Sequence, residues 1–397
     1  MESAMSQFRF LTAGESHGKS LIAIAEGMVA GLALSEEYVA FHLKRRQVGY
    51  GRSARMGVEQ DTAEIISGVR HGFSTGSPIS LLIRNRIWEE WQEIMSVTAV
   101  DKEIPPVASP RPGHADLAGV TKYGVGDIRP ILERASARET AARVAVGAIA
   151  RRFLEEFGIT IRSHTVNIGR HWAVLSEPIN WERVESSPLR CADGETEKLM
   201  MASIDEAKAE GDTLGGVFEL VATGVPVGLG SHVHWDRRLD GQIAQAVMSV
   251  NAVKGVEIGD GFRLAAVRGS QAQDIIEPAT REAFPSLRRA TNRAGGIEGG
   301  ISNGQPIVVR GAVKPIATLR KPLPSVDLRS GRRTTSHYER SDICVVPAAG
   351  VIGEAMLAIV LTNAVLEKFG GDHLTETLAN YRNYISSYGH YGAKEGK

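Results

Sequence analysis

Two stretches of this chain have almost no choice about where they go. AARVAVGAIA (141–150) and VIGEAMLAIVLTNAVLEKF (351–369) carry apolar or small side chains on nearly every face at the 3.6-residue helical period. A helix with no polar side has no face to offer water, so both are expected to be buried and closely packed. The first lies within SARETAARVAVGAIARRFLEEF (136–157), read as a helix stopped by Gly158, and the second is closed by Gly370 and Gly371. Residues 8–33 and 215–235 alternate like strands, and PIVVRGAVKPIATL (306–319) reads as a strand pair. Ser35 followed by Glu36 and Glu37 predicts a helix of about three turns ending in Lys44, Arg45 and Arg46. LDGQIAQAVMSV (239–250) has helical spacing as well. Strands at both ends around two buried helices point to an α+β layered architecture, not a regular βαβ repeat. No linker divides the chain, so we expect one composite domain over 8–375 and a loose polar tail over 376–397.

Charge excludes some functions. Lys plus Arg and Asp plus Glu both number 46, so no global field favours a duplex or an anionic membrane. The two cysteines, Cys191 and Cys344, cannot build a disulfide framework or a four-thiolate zinc site. SHVHW (231–235) sets His232 and His234 on one side of an expected strand, two metal ligands at most, and no metal is expected. The N-terminal stretch lacks a signal-peptide pattern, and no segment reads as an uninterrupted membrane span, so a cytoplasmic protein is expected.

Anion binding must therefore come from local clusters. KRRQVGYGRSAR (44–55) gathers Lys44, Arg45, Arg46, Arg52 and Arg55, and Gly49 and Gly51 allow turns sharp enough for Arg46 and Arg52 to converge on one anion. RPGHAD (111–116) puts His114 after a proline-fixed turn beside Arg111, with Arg129, Arg134 and Arg138 close behind; such cations favour a neutral imidazole that relays protons. ERASARET (133–140) opens the first apolar helix, where Ser136 and Glu139 form a capping box and free N–H groups favour a phosphate. GESHGKS (14–20) resembles a phosphate-cradling loop but encloses three residues between its glycines where that loop needs four. An ATPase built on Lys19 and a nucleic-acid or anion-binding module built on 44–55 are the competing readings. NRAGGIEGGISNG (292–304) is either a surface loop or a backbone lying flat against a ligand. Arg340 and Asp342 lie close before the second apolar helix. Arginines with His17 and His114 on glycine-rich turns suit a small polyanion carrying phosphate and carboxylates, with acid–base chemistry near neutral pH.

Taken in order, GESHG, RRQVGYGR, RPGHAD, ERASARET, NRAGG…GGISNG, KPIAT (314–318) and RSD (340–342) resemble the signature segments of the chorismate synthase family. The resemblance runs from about residue 8 to residue 375. It implies a layered β/α sandwich, antiparallel sheets packed around buried helices, assembled as a homotetramer. It implies a lyase converting 5-enolpyruvylshikimate 3-phosphate to chorismate and phosphate by anti-1,4-elimination, with reduced FMN (FMNH2) required, in aromatic amino acid biosynthesis. Reduced flavin would come from an external flavin reductase system, with NADPH only as a possible reductant; no nucleic acid and no membrane would be involved.

Carried over residue by residue, the resemblance implies that His17 protonates the departing phosphate. His114 sits by the flavin and manages its protonation, and Asp342 assists removal of the substrate ring proton. Arg46, Arg52, Arg55, Arg111, Arg138 and Arg340 hold phosphate and carboxylate groups, Arg46 and Arg52 doubling as NADP contacts. FMN is bound by Arg134, Ala135, Ser136, Asn251, Ala252, Gly299, Lys314, Pro315, Ile316, Ala317, Thr318 and Arg340.

Overall fold

A computed structural model describes residues 8–52, 60–176, 178–278 and 287–387. Both apolar stretches are helices inside the protein. Thr140–Glu155 follows a short 3₁₀ turn, Ala137–Glu139, and Val346–Phe369 begins one turn earlier than its periodicity suggests, with Pro347 in the first turn. They pack directly on each other. At the crossing, a Cβ added to Gly147 would stand 2.2 Å from the Ala355 Cβ, so the contact admits no side chain at that position. Small residues serve here because close-packed interiors have no slack to absorb another methyl group.

Two antiparallel sheets flank the pair. The four-stranded sheet runs in the order Arg9–Ala13, Ser20–Glu26, Ile79–Arg84, Glu64–Ser67. Leu21, Ala23 and Ala25 alternate inward, as do Ile79, Leu81 and Ile83, and this sheet meets Thr140–Glu155. The five-stranded sheet runs Val253–Ile258, Ile307–Val313, Gly216–Thr223, Thr160–Ile168, His171–Trp172, and Val346–Phe369 packs on its strands Thr160–Ile168 and Gly216–Thr223. The expected α+β class is therefore correct, with antiparallel sheets throughout. The helix after Ser35 spans Glu36–Gln47, and the Ser35 hydroxyl accepts from the Tyr38 N–H. The helix over the third apolar stretch spans Leu239–Met248.

A buried carboxylate braces this core. Glu354, on the long helix, accepts from Arg45 at 2.6 Å, Arg151 at 2.8 Å and the Ser163 hydroxyl at 2.6 Å. Burial works against its charge, yet the surrounding arginines hold it well below the usual carboxylate range. Arg45 is thereby used inside the core, pinning the end of the Glu36–Gln47 helix to the long helix.

Several expectations need correcting. PIVVRGAVKPIATL forms one strand, Ile307–Val313; Pro315 interrupts the ladder, and 314–318 are irregular. SHVHW is not a strand: His232 and His234 are exposed on a loop, and His234 pairs with Asp236 at 2.7 Å. The capping box is half made, because Ser136 accepts from the Arg138 N–H while Glu139 turns to Thr12 and Arg143. Of the tail expected to be loose over 376–397, the described part is a helix, Leu374–Ser387, because Tyr381 and Tyr384 set their rings edge-on and tilted against Phe369 and bind it to the core; 388–397 lie outside the described residues. Val346–Phe369 is long and apolar enough to cross a membrane, contrary to the sequence expectation, but 89% of its most apolar window is buried inside the protein.

Because the helix crossing has no room, Gly147→Val is expected to destabilise the fold by about 1–3 kcal/mol. A lower urea midpoint with an unchanged m-value checks this; an unshifted midpoint rules the tight crossing out.

Candidate active site

Both core helices start at the same place, and a cavity of about 800 Å³ opens there. Its floor is the first turns of the long helix (Val345, Ala348, Ala349, Ile352) together with Ala137, Arg138 and Thr140. Loops and helix ends form the walls: the turn at Ser16 and His17, Arg46 at the end of its helix and Arg52, residues 87–91, Arg111 to Ala115, Asn251 and Ala252, Lys314 to Thr318, and Glu339 to Asp342. The cationic side chains Arg46, Arg52, Arg111, Arg138, Lys314 and Arg340 line it against the acidic Glu90, Glu339 and Asp342. A cavity lined so is built for anions.

Five of these cations are held by the fold. Arg46 donates to Thr140 Oγ1 and to the Ala137 carbonyl, both at 3.0 Å, and reaches Asp61 at 3.4 Å. Arg138 donates to the same Asp61 at 2.5 Å and to Asn85 at 2.9 Å. Burial pushes the Arg46 guanidinium down to about 10 despite Asp61. Two guanidinium groups around one buried carboxylate leave excess positive charge facing the cavity. Arg52 pairs with Asp342 at 3.0 Å, and Lys314 donates to the Gly113 carbonyl at 2.6 Å. Arg111 donates to Asp116 at 2.8 Å and to Thr318 Oγ1 at 2.9 Å.

The two histidines are set differently from what local sequence suggested. His17 Nδ1 lies 2.8 Å from Glu133, and its ring stacks on Trp91 with centroids 3.8 Å apart. His114 Nδ1 lies 2.5 Å from the buried Asp116, so a carboxylate, and not cations alone, faces the ring. Asp116 is held well below the usual carboxylate range: burial opposes its charge, but hydrogen bonds from His114 and Arg111 outweigh it. For Glu339, burial likewise opposes, while His337 and Arg129 bring it down to about 2. In the glycine turn, the N–H groups of Ser16 and His17 donate to Glu133 and that of Gly18 to Glu15. A loop whose amides already serve its own protein cannot cradle a phosphate, which removes the ATPase reading. Arg45 and Arg46 are buried, so the basic cluster is no open nucleic-acid surface either.

Part of the lining is apolar, with Leu132, Ala135, Ile316 and Ala317. Asn251 sits in this part. Its amide N–H donates to the Ala135 carbonyl at 3.2 Å, while its Oδ1 is buried without a partner. Its neighbour Ala252 holds φ at 68°, a costly conformation for a residue with a Cβ. An orphaned acceptor on an apolar wall fits a flat ligand carrying a ring N–H.

The structure thus brings together His17, His114, Asp342, Arg46, Arg52, Arg111, Arg138, Ala135, Ser136, Asn251, Ala252, Lys314, Pro315, Ile316, Ala317, Thr318 and Arg340. Arg134 is not in the lining; it donates to the carbonyls of Thr12 and Gly14 and fastens the first strand. Gly299 lies in the turn between Ile297–Glu298 and Ile301–Ser302, also outside the lining. Arg55 falls outside the described residues. Sequence reasoning missed Glu133, Asp116, Asp61, Glu339 and Trp91. The first two stand inside ERASARET and RPGHAD, where a carboxylate near a histidine was the available signal. Nothing local marks Asp61 or Trp91, which reach the site only through folding.

Comparison with known proteins gives a uniform result. The family model described as chorismate synthase matches residues 8–366. A chorismate synthase of Desulforudis audaxviator is 57% identical over 381 residues, covering 95% of this chain and 97% of its own. One from Streptomyces avermitilis is 51% identical, covering 96% of this chain and 99% of its own. A crystal structure of a chorismate synthase superposes with a TM-score of 0.76 at 46% identity, covering 96% of this chain and 97% of the other. The order and spacing of the cavity-lining segments, the antiparallel α+β core and these relatives agree: the chain is an enzyme of the chorismate synthase family.

Proposed function

We propose that the cavity converts 5-enolpyruvylshikimate 3-phosphate to chorismate and phosphate by anti-1,4-elimination, with reduced FMN bound in the same chamber. The observation that carries this reading is the convergence of His17, His114, Asp342 and five arginines on one cavity large enough for two ligands side by side. The reaction breaks one C–H and one C–O bond and forms a C=C bond, with no net redox change. Arg46, Arg52, Arg111, Arg138 and Arg340 bind the phosphate and the two carboxylates, and they stabilise charge that grows on the departing phosphate. His17 donates a proton to that phosphate. Asp342, oriented by Arg52, serves removal of the ring proton. His114, held by Asp116, moves a proton at the flavin edge.

The apolar wall and the orphaned Asn251 Oδ1 fit an isoalloxazine, with Lys314 near for its phosphate. When bound, the reduced flavin supplies electron density as the C–O bond breaks. Residues 87–91 and 339–342 are part of the chamber walls, and substrate that displaces water between them strengthens every charge interaction inside.

The contacts of the core elements support a finer fold reading, a layered sandwich of sheet, helix pair and sheet. The outer face of the four-stranded sheet supports a homotetramer. Leu11 is 71% exposed, and it pairs across strands with Ile24, 43% exposed, beside Ile22. An apolar row on an open sheet face is a surface for another copy of the chain.

Three outcomes are expected. Under anaerobic conditions the protein releases phosphate from the enolpyruvyl substrate with reduced FMN and not with oxidised FMN, and His17→Ala or His114→Ala lowers turnover about 10²- to 10⁴-fold with flavin still bound; turnover indifferent to flavin redox state sinks the reading. Asn251→Ala weakens FMN binding about tenfold, as loss of one hydrogen bond predicts, measured by fluorescence titration. Ile24→Lys lowers the molar mass seen by light scattering, whereas an unchanged mass removes that sheet face from the assembly.

A further inference from the structure

Both histidines in the cavity are built the same way. His17 Nδ1 faces Glu133 at 2.8 and 3.0 Å, and the His17 backbone N–H donates to Glu133 Oε2 at 2.8 Å. Glu133 also accepts from Arg129 at 3.2 Å, and its side chain is fully buried. His114 Nδ1 faces Asp116 at 2.5 Å, and Asp116 accepts from the Arg111 backbone N–H at 3.0 Å, its Nε at 2.8 Å and its Nη2 at 3.0 Å; that Nη2 also lies 3.0 Å from His114 Nδ1 and 3.4 Å from Nε2, and the Asp116 side chain is fully buried too. Imidazole, buried carboxylate and arginine therefore recur at two unrelated places in the chain.

The chemistry of the partners sets the ring. An ionised carboxylate only accepts, so a ring nitrogen at hydrogen-bond distance from it carries the hydrogen; at His114 the nearby Arg111 Nη2 then spends its hydrogen on Asp116 Oδ1, at 3.0 Å, and not on Nδ1. We propose that Glu133 and Asp116 are positioning residues that hold His17 and His114 as Nδ1–H tautomers, leaving Nε2 of each ring as the atom through which protons pass in the cavity. The arginines, Arg129 and Arg111, keep the carboxylates from turning away. For His17 a third element acts: Trp91 stacks on the ring at an interplanar angle of 18°, and Arg129 lies 5.3 Å from the other partner of that stack, the Trp91 ring. The ring is thereby held in plane as well as in tautomer. Orientation of a histidine by a buried carboxylate on its far nitrogen is how proton-transferring imidazoles are kept in register elsewhere. The inference rests on the elimination reading for its catalytic consequence, but the tautomers themselves do not.

The test separates the two. Nitrogen-15 NMR of the histidine rings, taken at alkaline pH where imidazoles are neutral, reports the tautomer without substrate or flavin. In the wild-type protein His17 and His114 are expected as Nδ1–H tautomers. In Glu133→Gln the amide can offer a donor to Nδ1, so His17 shifts toward the Nε2–H form while His114 stays; Asp116→Asn does the converse. With reduced FMN, Glu133→Gln is expected to lower kcat about 10²- to 10⁴-fold with KM changed less than about threefold. A wild-type spectrum showing either ring as Nε2–H overturns the proposal for that ring, even if the variants fail to fold. An unchanged His17 tautomer in Glu133→Gln also overturns it, whatever the turnover. A shifted tautomer with full turnover upholds the positioning and overturns the role of His17 as the proton donor to the phosphate.

Discussion

The crossing of the two apolar helices at Gly147 and Ala355 is the contact on which the rest is hung. Because no side chain separates the backbones there, the helices are fixed in angle and offset, and their N-terminal turns are fixed with them. Those turns are the cavity floor. Ala348, Ala349 and Ile352 come from one helix, and Thr140 from the other with Ala137 and Arg138 just ahead of it. Sheets and the helices Glu36–Gln47, Leu239–Met248 and Leu374–Ser387 pack on the helix pair, and the loops between elements supply most of the walls. A rigid floor under loop-borne chemistry is how a soluble core can position groups to within hydrogen-bond tolerance.

Collecting cations in a low-dielectric chamber is costly, and the structure shows how that cost is met. Asp61 lies between Arg46 and Arg138, Asp116 holds Arg111, and Asp342 holds Arg52. Each carboxylate offsets part of the charge, and the two around Asp61 share one, so the site stays positive while its members are held in place. Arg45, one residue from Arg46, points the other way into a buried network around Glu354. One helical step thus divides two adjacent arginines between stability and function, as the 100° turn per residue requires.

Much of this was legible in the chain. The two all-apolar runs had to be buried helices, the Ser35 cap and its acidic turn marked a helix start, and glycine-rich turns bearing arginine and histidine marked the anion site. The failures have physical causes too. A strand pair was read into 306–319 because β-branched residues flank Pro315, which has no N–H for a ladder. The tail after 376 looks polar in one dimension, whereas Tyr381 and Tyr384 share a helical face that reaches Phe369. At RPGHAD the sequence reading counted nearby cations, and the fold adds the carboxylate of Asp116, two residues away, against the ring.

What the sequence alone determined is therefore the local chemistry: which segments are apolar, where turns and caps fall, and which residue types could meet an anion or carry a proton. Tertiary structure decided which of them meet. Asp61 comes between Arg46 and Arg138, Glu133 and Trp91 close on His17, and Thr318 reaches Arg111 across two hundred residues of chain. The reason is one of range. Helical period, capping and turn preference act over a few residues and can be read along the chain, whereas a hydrogen bond between distant residues depends on how sheets and helices stack, which no local pattern records.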